Sequence, residues 1–389
     1  MFKSRVDEKK ATDLLKELVK IDSVNPSLVP GAKGEAEIAE YVVGWLKTLG
    51  VKARVDVLEK SRCNAVGVLK GTGGGKSLLL DGHMDTVGYD YMTIDPLKPV
   101  VKEGRMYGRG TYDMKGGLVS SLAALKAVVD SGTELKGDVI VGAVCDEEYA
   151  SIGTERLMEK TVVDAAIVGE PSSLQIERCH KGFAWIDIES HGVAAHGSAW
   201  QVGVDAITKM GKVLTSLESL GEKLQGKKHP LVGPASVHAS VIKGGLELST
   251  YPDRCLLQIE RRLIPGEDQG DVEVEMEKLL KDISEKDPKF GASYEVIFYR
   301  GPMDVPETAE ICQTLVACSK EAINLTPAFI GGSGWLDTQI IWGKGIPAVA
   351  YGPAGDGDHS AVEWVDLDTV IEAAKVQELV IRRFCGAKD

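Results

Sequence analysis

The hydrophobic pattern along this chain changes character twice. Apolar residues three and four apart predict amphipathic helices near 9–20 (KKATDLLKELVK) and 34–49 (GEAEIAEYVVGWLKTL). Short apolar runs then predict strands near 52–58, 64–69, 77–81, 138–144 and 164–168. Among them lie a helix opened by MKGGLVSSLAALKAVVD and another near 152–159. Such alternation predicts an α/β fold, a mostly parallel sheet covered by helices.

From about residue 182 the order changes. Strand FAWIDIES, a helix near 203–220, strands ASVHASVI and RCLLQIERRL, helix VEVEMEKLLKDISE and strand SYEVIFYR follow one another. This β-α-β-β-α-β order is a ferredoxin-like unit, one sheet layer with two helices. The first pattern resumes with a helix near 307–323, a strand near 346–351 and a closing helix near 366–384. The expected organisation is a catalytic domain in two parts, 1–181 and 300–389, with an inserted domain at 182–299.

At 389 residues the chain is long for one typical domain, which fits this division. A formal charge of -13 with no lysine or arginine cluster argues against nucleic acid and anionic membrane surfaces as partners. No apolar run reaches the roughly 18 to 20 residues of a spanning helix, and MFKSRVDEKK is too charged for a signal peptide. A cytoplasmic protein acting on small molecules is expected. Cys63, Cys145, Cys179, Cys255, Cys312, Cys318 and Cys385 are scattered, which predicts buried reduced thiols rather than a disulfide framework.

Polar residues of metal-binding type stand where the strands are expected to end. They are His83 and Asp85 in LLLDGHMD, Asp113 in GRGTYDMKGG, Glu147 and Glu148 in VCDEEYAS, Glu170 in IVGEPS and His359 in GDGDHSAVEW. Imidazoles and carboxylates without thiolates suit a hydrolytic metal pair, and α/β folds collect function at the carboxyl ends of parallel strands. Read singly, each has a plainer alternative. His83 and Asp85 could be a cap and a turn, Asp113 could cap the next helix, and Glu147, Glu148 and Asp146 could form a solvated loop. In an extended segment His83 and Asp85 project to one side, so Asp85 is expected to orient the imidazole. Two adjacent acids at 147 and 148 could divide metal binding from proton transfer.

LLLDGHMDTV, GRGTYDMKGG, DEEYASIGT, GEPS, AAHGSAW, GIPAVAYGP and DHSAVE, in this order over nearly the whole chain, resemble the M20 metallopeptidase and deacylase family. The resemblance implies a zinc-dependent exopeptidase-like catalytic domain with an inserted ferredoxin-like dimerisation domain. It implies two Zn2+, with Co2+ or Mn2+ as possible substitutes: one held by His83 and Glu170, the other by Glu148 and His359, and Asp113 bridging. Glu147 would be the general base and Asp85 the orienting carboxylate, with a cis peptide at Asp113-Met114. His196, in AAHGS, matches a histidine that reaches the site from the second subunit, which implies a homodimer and domain closure. Arg262, in ERRLIPGE, matches an arginine that grips a substrate carboxylate, with Arg261 a solvated neighbour.

The chain departs from the family pattern at Ser249, where many relatives have asparagine at a substrate contact, and at Gly88, where proline is common. GTGGGKS lacks the glycine a phosphate-binding loop needs at Lys70 and is expected to be a flexible hairpin turn. The implied activity is amide hydrolysis of N-acyl amino acids, of acetylornithine deacetylase or succinyl-diaminopimelate desuccinylase type. The alternatives are a metallo-carboxypeptidase or dipeptidase of the same family, cleaving short peptides, and a non-catalytic metal-dependent binding protein.

Overall fold

The computed structural model describes residues 2–387. Its contacts divide it into two units: Met1–Arg178 with Val305–Ile330 and Leu336–Asp389, and Cys179–Asp304 with Gly331–Trp335.

In the first unit the strands Val139–Val144, Leu78–His83, Ala165–Val168 and Ala348–Ala350 lie side by side and parallel. The first three are buried along their whole length, as their apolar runs require, with Asp81 and His83 buried at the end of Leu78–His83. The flanks are antiparallel, which corrects the expectation of a mostly parallel sheet. Lys52–Val57 and Cys63–Leu69 pair as a hairpin because the turn between them is too short for a crossover. Ile176–His180 runs antiparallel to Ala348–Ala350. The GTGGGKS segment is not a hairpin turn either. It joins Cys63–Leu69 to Leu78–His83, two strands separated by Val139–Val144, whose apolar side chains claim the central place.

Helices Glu8–Lys20, Gly116–Asp130 and Leu367–Phe384 pack together in this unit. Asp7 caps the first through the Lys10 N–H at 3.0 Å, and Asp366 caps the last through Asp368 and Thr369. Gly116–Asp130 is buried nearly all round. Its second residue, Gly117, has no substitute, since a Cβ there would lie 1.6 Å from the Gly169 carbonyl oxygen. This close approach sets the helix start against the segment that carries Glu170.

In the second unit the strands run in the order Ser236–Gly244, Arg254–Leu263, Gly182–His191, Gly291–Arg300, all antiparallel. Helices Ala206–Leu224 and Gln269–Ser284 cover one face, burying Ile186, Ile188, Leu257, Ile259, Met210 and Met276. The first helix starts later than its periodicity predicts because Asp205 caps it through the Thr208 N–H at 3.0 Å. Arg261 corrects another expectation: it is buried rather than solvated, paired with Glu267 at 2.8 Å and Glu275 at 3.0 Å. Position 261 shares the helix-covered face with Leu257 and Ile259, and the two glutamates satisfy its guanidinium there.

All seven cysteines are free and buried. Among the described residues no helix is long and apolar enough to cross a membrane.

Candidate active site

The parallel strands of the first unit bring their C-terminal ends to one place. His83 closes Leu78–His83, Glu147 and Glu148 follow Val139–Val144, and Glu170 follows Ala165–Val168. Asp113 lies in the turn Thr111–Lys115, its peptide to Met114 is cis, and its side chain does not cap the following helix. His359 comes from the loop between Gly355–Asp356 and Trp364–Asp366.

These six residues meet. His83 Nε2 lies 3.0 Å from Asp113 Oδ1, 3.7 Å from Glu170 Oε1 and 3.9 Å from Glu147 Oε2. His359 Nε2 lies 2.8 Å from Glu148 Oε2 and 3.3 Å from Asp113 Oδ2. Asp113 thus turns one oxygen toward each histidine.

So many acids at one point require shared positive charge, and the ionisation of the groups shows it. Burial pushes Glu147 well above the usual carboxylate range, with the charge of Glu170 adding to it. Burial raises Glu170 too, against the pull of His83. Burial and the charge of Asp113 move Glu148 up to about 7. Burial opposes ionisation of Asp113, yet hydrogen bonds from His359 and His83 hold it below the carboxylate range. Hydrogen bonds to Asp113 and Glu148 raise His359 to about 10. A bound cation would do the same work as these protons. The donor set fits a metal ion: His83, Asp113 and Glu148 place their ligand atoms within 4.8 Å of one another, and so do His83, Glu147 and Glu170, two sets that share His83. Glu170 Oε1 is buried and accepts no hydrogen bond among the described residues, so an acceptor stands ready for a cation.

Asp85 behaves differently from its expected role. His83 Nδ1 bonds to the backbone carbonyl of Asp85 at 3.0 Å, while the carboxylate stands at 3.7 Å. That carboxylate instead accepts the N–H groups of Glu147 and Glu148, each at 3.2 Å, and the Asn25 amide at 2.8 Å. Behind it Arg62 grips Glu35 with two nitrogens, at 2.9 and 3.0 Å, and reaches Asp146. Asp146 is thus buried and paired rather than part of a solvated loop, and it holds a positive φ of 71° just before Glu147. Nothing in the sequence marks Asn25, Glu35 or Arg62 as belonging here, because Asn25 and Arg62 meet Asp146, and Glu35 meets Arg62, only through the fold.

In the second unit His196 is exposed, with Nδ1 2.8 Å from Ser198 Oγ. Its segment pairs with Ser249 and Thr250 through the Gly197 N–H to Ser249 O bond at 2.7 Å and a bridge from His196 to Thr250. His196 and Ser249 are therefore neighbours. Arg262 lies near the far end of Arg254–Leu263, its Nε donating to Glu260 at 2.7 Å and its guanidinium over the Phe183 ring. His229 makes a separate relay here, Nδ1 3.5 Å from Cys179 Sγ and Nε2 3.3 Å from Asp304. One ligand atom from each of Cys179, His229 and Asp304 lies within 4.8 Å of the others.

A sequence profile described as peptidase family M20/M25/M40 matches residues 79–383. The chain is 30% identical to an acetylornithine deacetylase of Myxococcus xanthus over 392 aligned positions, covering 96% of this chain and 97% of that protein. Its fold is similar to that of aminopeptidase PepT from Bacillus cereus ATCC 10987, with TM-score 0.80 and 19% identity over 98% of this chain and 99% of the other. It is also similar to the M20 family metallo-carboxypeptidase Sso-CP2 from Sulfolobus solfataricus, with TM-score 0.77 and 20% identity over 96% and 99% of the two chains. The strand-end cluster of imidazoles and carboxylates lies inside the matched span, and the chain belongs to peptidase family M20/M25/M40, a hydrolase of amide bonds.

Proposed function

We propose that this hydrolase removes the acyl group from N-acyl amino acids with two zinc ions, in the manner of an acetylornithine deacetylase or succinyl-diaminopimelate desuccinylase. The observation that carries the two-metal reading is the division of Asp113, one oxygen toward His83 and the other toward His359. His83 and Glu170 would hold one ion, Glu148 and His359 the other, and Asp113 both. When bound, the metals lower the pKa of a water and polarise the amide carbonyl.

The chain's own groups carry the proton. Glu147, with Oε2 3.9 Å from His83 Nε2, takes a proton from the attacking water. As the C–N bond breaks it returns that proton to the leaving amine nitrogen, leaving a free carboxylate and an amine. His196 of a second copy would donate to the carbonyl oxygen as charge builds there. Arg262 and Ser249 would hold the substrate's carboxylate. A homodimer gains support from the edge strand Ser236–Gly244, where Val241 and Ile242 are exposed beside Leu246 and Leu248, both fully exposed.

The test is mass-spectrometric turnover of a mixed panel of N-acetyl amino acids, N-succinyl amino acids and dipeptides by the zinc-loaded protein. Faster cleavage of the acyl amino acids is expected. Preference for dipeptides would replace this reading with the carboxypeptidase or dipeptidase one. Equal inactivity of zinc- and cobalt-loaded protein on every amide would favour a binding protein.

A further inference from the structure

Four residues beyond His359, the carboxylate of Glu363 is buried and bonded on every side. Its Oε1 accepts the backbone N–H groups of Tyr112 at 2.9 Å and Asp113 at 3.2 Å. Its Oε2 accepts the Gly110 N–H at 3.0 Å and Arg109 Nη1 at 2.7 Å. Four donors use the full accepting capacity of a carboxylate, and three of them are peptide N–H groups of Gly110, Tyr112 and Asp113, the segment that carries Asp113.

Arg109 extends the contact to the other side of the site. Its Nη2 donates to the carbonyls of Ser360 at 3.1 Å and Gly88 at 3.3 Å, and to the Tyr91 hydroxyl at 3.3 Å. That hydroxyl donates in turn to the His359 carbonyl at 3.1 Å. His359 sits at a positive φ of 51°, a conformation that needs such support in a residue with a side chain. One buried pair therefore staples the turn of Asp113 to the loop of His359, whose side chains stand 3.3 Å apart.

We infer that Glu363 and Arg109 are positioning residues that fix the separation of Asp113 and His359, and with it the affinity of the site for its second metal ion. They touch neither substrate nor ion and act through peptide N–H groups and a tyrosine hydroxyl. The inference rests on the two-zinc reading above.

Glu363→Gln is the informative change because it keeps the shape and reverses half the chemistry. The new amide nitrogen faces donors, either Arg109 and Gly110 or the two turn peptides, and cannot accept from them. Zinc titration of the stripped wild-type and variant proteins, followed by calorimetry and by competition with a chelating dye, reads the effect without any turnover. The wild type is expected to take two ions and Glu363→Gln to bind the weaker one about 10 to 100-fold less tightly, with kcat falling at saturating substrate and KM little changed. Unaltered affinity for both ions would overturn the inference alone, whereas a wild type that binds no zinc would overturn the two-metal reading and the inference with it.

Tyr91→Phe guards against a variant that does not fold, since it removes one hydroxyl from an exposed side chain. A smaller loss of affinity is expected there, of a few fold. Affinity equal to wild type in Tyr91→Phe, where Glu363→Gln fails to fold, would also overturn the proposal.

Discussion

The two units hold their polar residues in opposite ways. In the first, His83, Glu147, Glu148 and Glu170 stand at strand ends beside Asp113, and two of the segments that carry them are tied by a buried carboxylate taking peptide N–H groups, Glu147 and Glu148 by Asp85 and Asp113 by Glu363. In the second, His196 and Ser249 lie on exposed segments. There the sheet face away from the helices carries Phe183, Trp185 and Phe298, with Arg262 and Arg300 over the rings. The first unit completes its cluster from its own chain, whereas the second presents side chains to whatever approaches it. Rigid enclosure suits a reaction that needs fixed charges; exposed polar side chains such as His196 and Ser249 suit contact with an arriving molecule.

The strongest way to break this comparison is at Glu147. Glu147→Gln should lower kcat by about 10²- to 10⁴-fold while zinc stoichiometry by elemental analysis stays as in wild type. Normal turnover would remove the base from the first unit.

His196→Ala comes next, with kcat expected to fall by roughly 10²- to 10³-fold and KM to move little. Mixing it with Glu147→Gln protein sharpens the test. If His196 serves the neighbouring copy, mixed dimers should recover part of the activity that neither variant shows alone. An unchanged steady-state rate for His196→Ala would confine the chemistry to the first unit.

A third prediction concerns stability of the second unit against acid. His180 is buried, and burial lowers its imidazole to about 4. Its unfolded-state pKa is about 6.5, so above that value both states are neutral and the group costs nothing. Between 6.5 and 4 the unfolded chain binds the proton that the folded one refuses. Stability should therefore fall with pH across that window, by about 3 kcal/mol at its lower end. His180→Gln should flatten this limb in chemical denaturation followed by tryptophan fluorescence, and an identical limb in the variant would assign the acid sensitivity elsewhere.

The smallest effect is expected at Arg262. Arg262→Ala should raise KM for acyl amino acids by about 10- to 100-fold, the value of a charge-assisted contact of about 2 kcal/mol, and leave kcat nearly unchanged. An equal loss on a substrate whose carboxylate is amidated would show that the arginine packs against Phe183 rather than binding the substrate.

Much of this was legible before the structure. Apolar runs located the strands and hence the strand-end residues, because backbone pairing and burial make that pattern local. The β-α-β-β-α-β order was equally readable. Less readable was strand adjacency: the loop at 70–77 looked like a hairpin turn, but Val139–Val144 lies between the strands it joins, and nothing near residue 70 announces a strand near residue 140. Arg261 and Arg262 illustrate the same limit at a finer scale. Adjacent in sequence, they point to opposite faces of one strand, so one is sealed under helices with Glu267 and Glu275 while the other is half-buried over Phe183.

What the sequence by itself determined is the inventory of chemistry: two histidines and several acids at predicted strand ends, no thiolate among them, and motifs that mark the family. Only the tertiary structure decided how that inventory is held. Asp85 serves by its carbonyl to His83 and its carboxylate to the peptides of Glu147 and Glu148, Asn25 and Arg62 arrive from distant segments, and Arg109 and Glu363 pair across the fold from the segments of Asp113 and His359. The reason is physical. A side chain's chemical type is fixed by its own covalent structure, whereas its partners in a buried hydrogen-bond network are set by folding, which brings together residues as far apart as Arg109 and Glu363, 254 positions from each other.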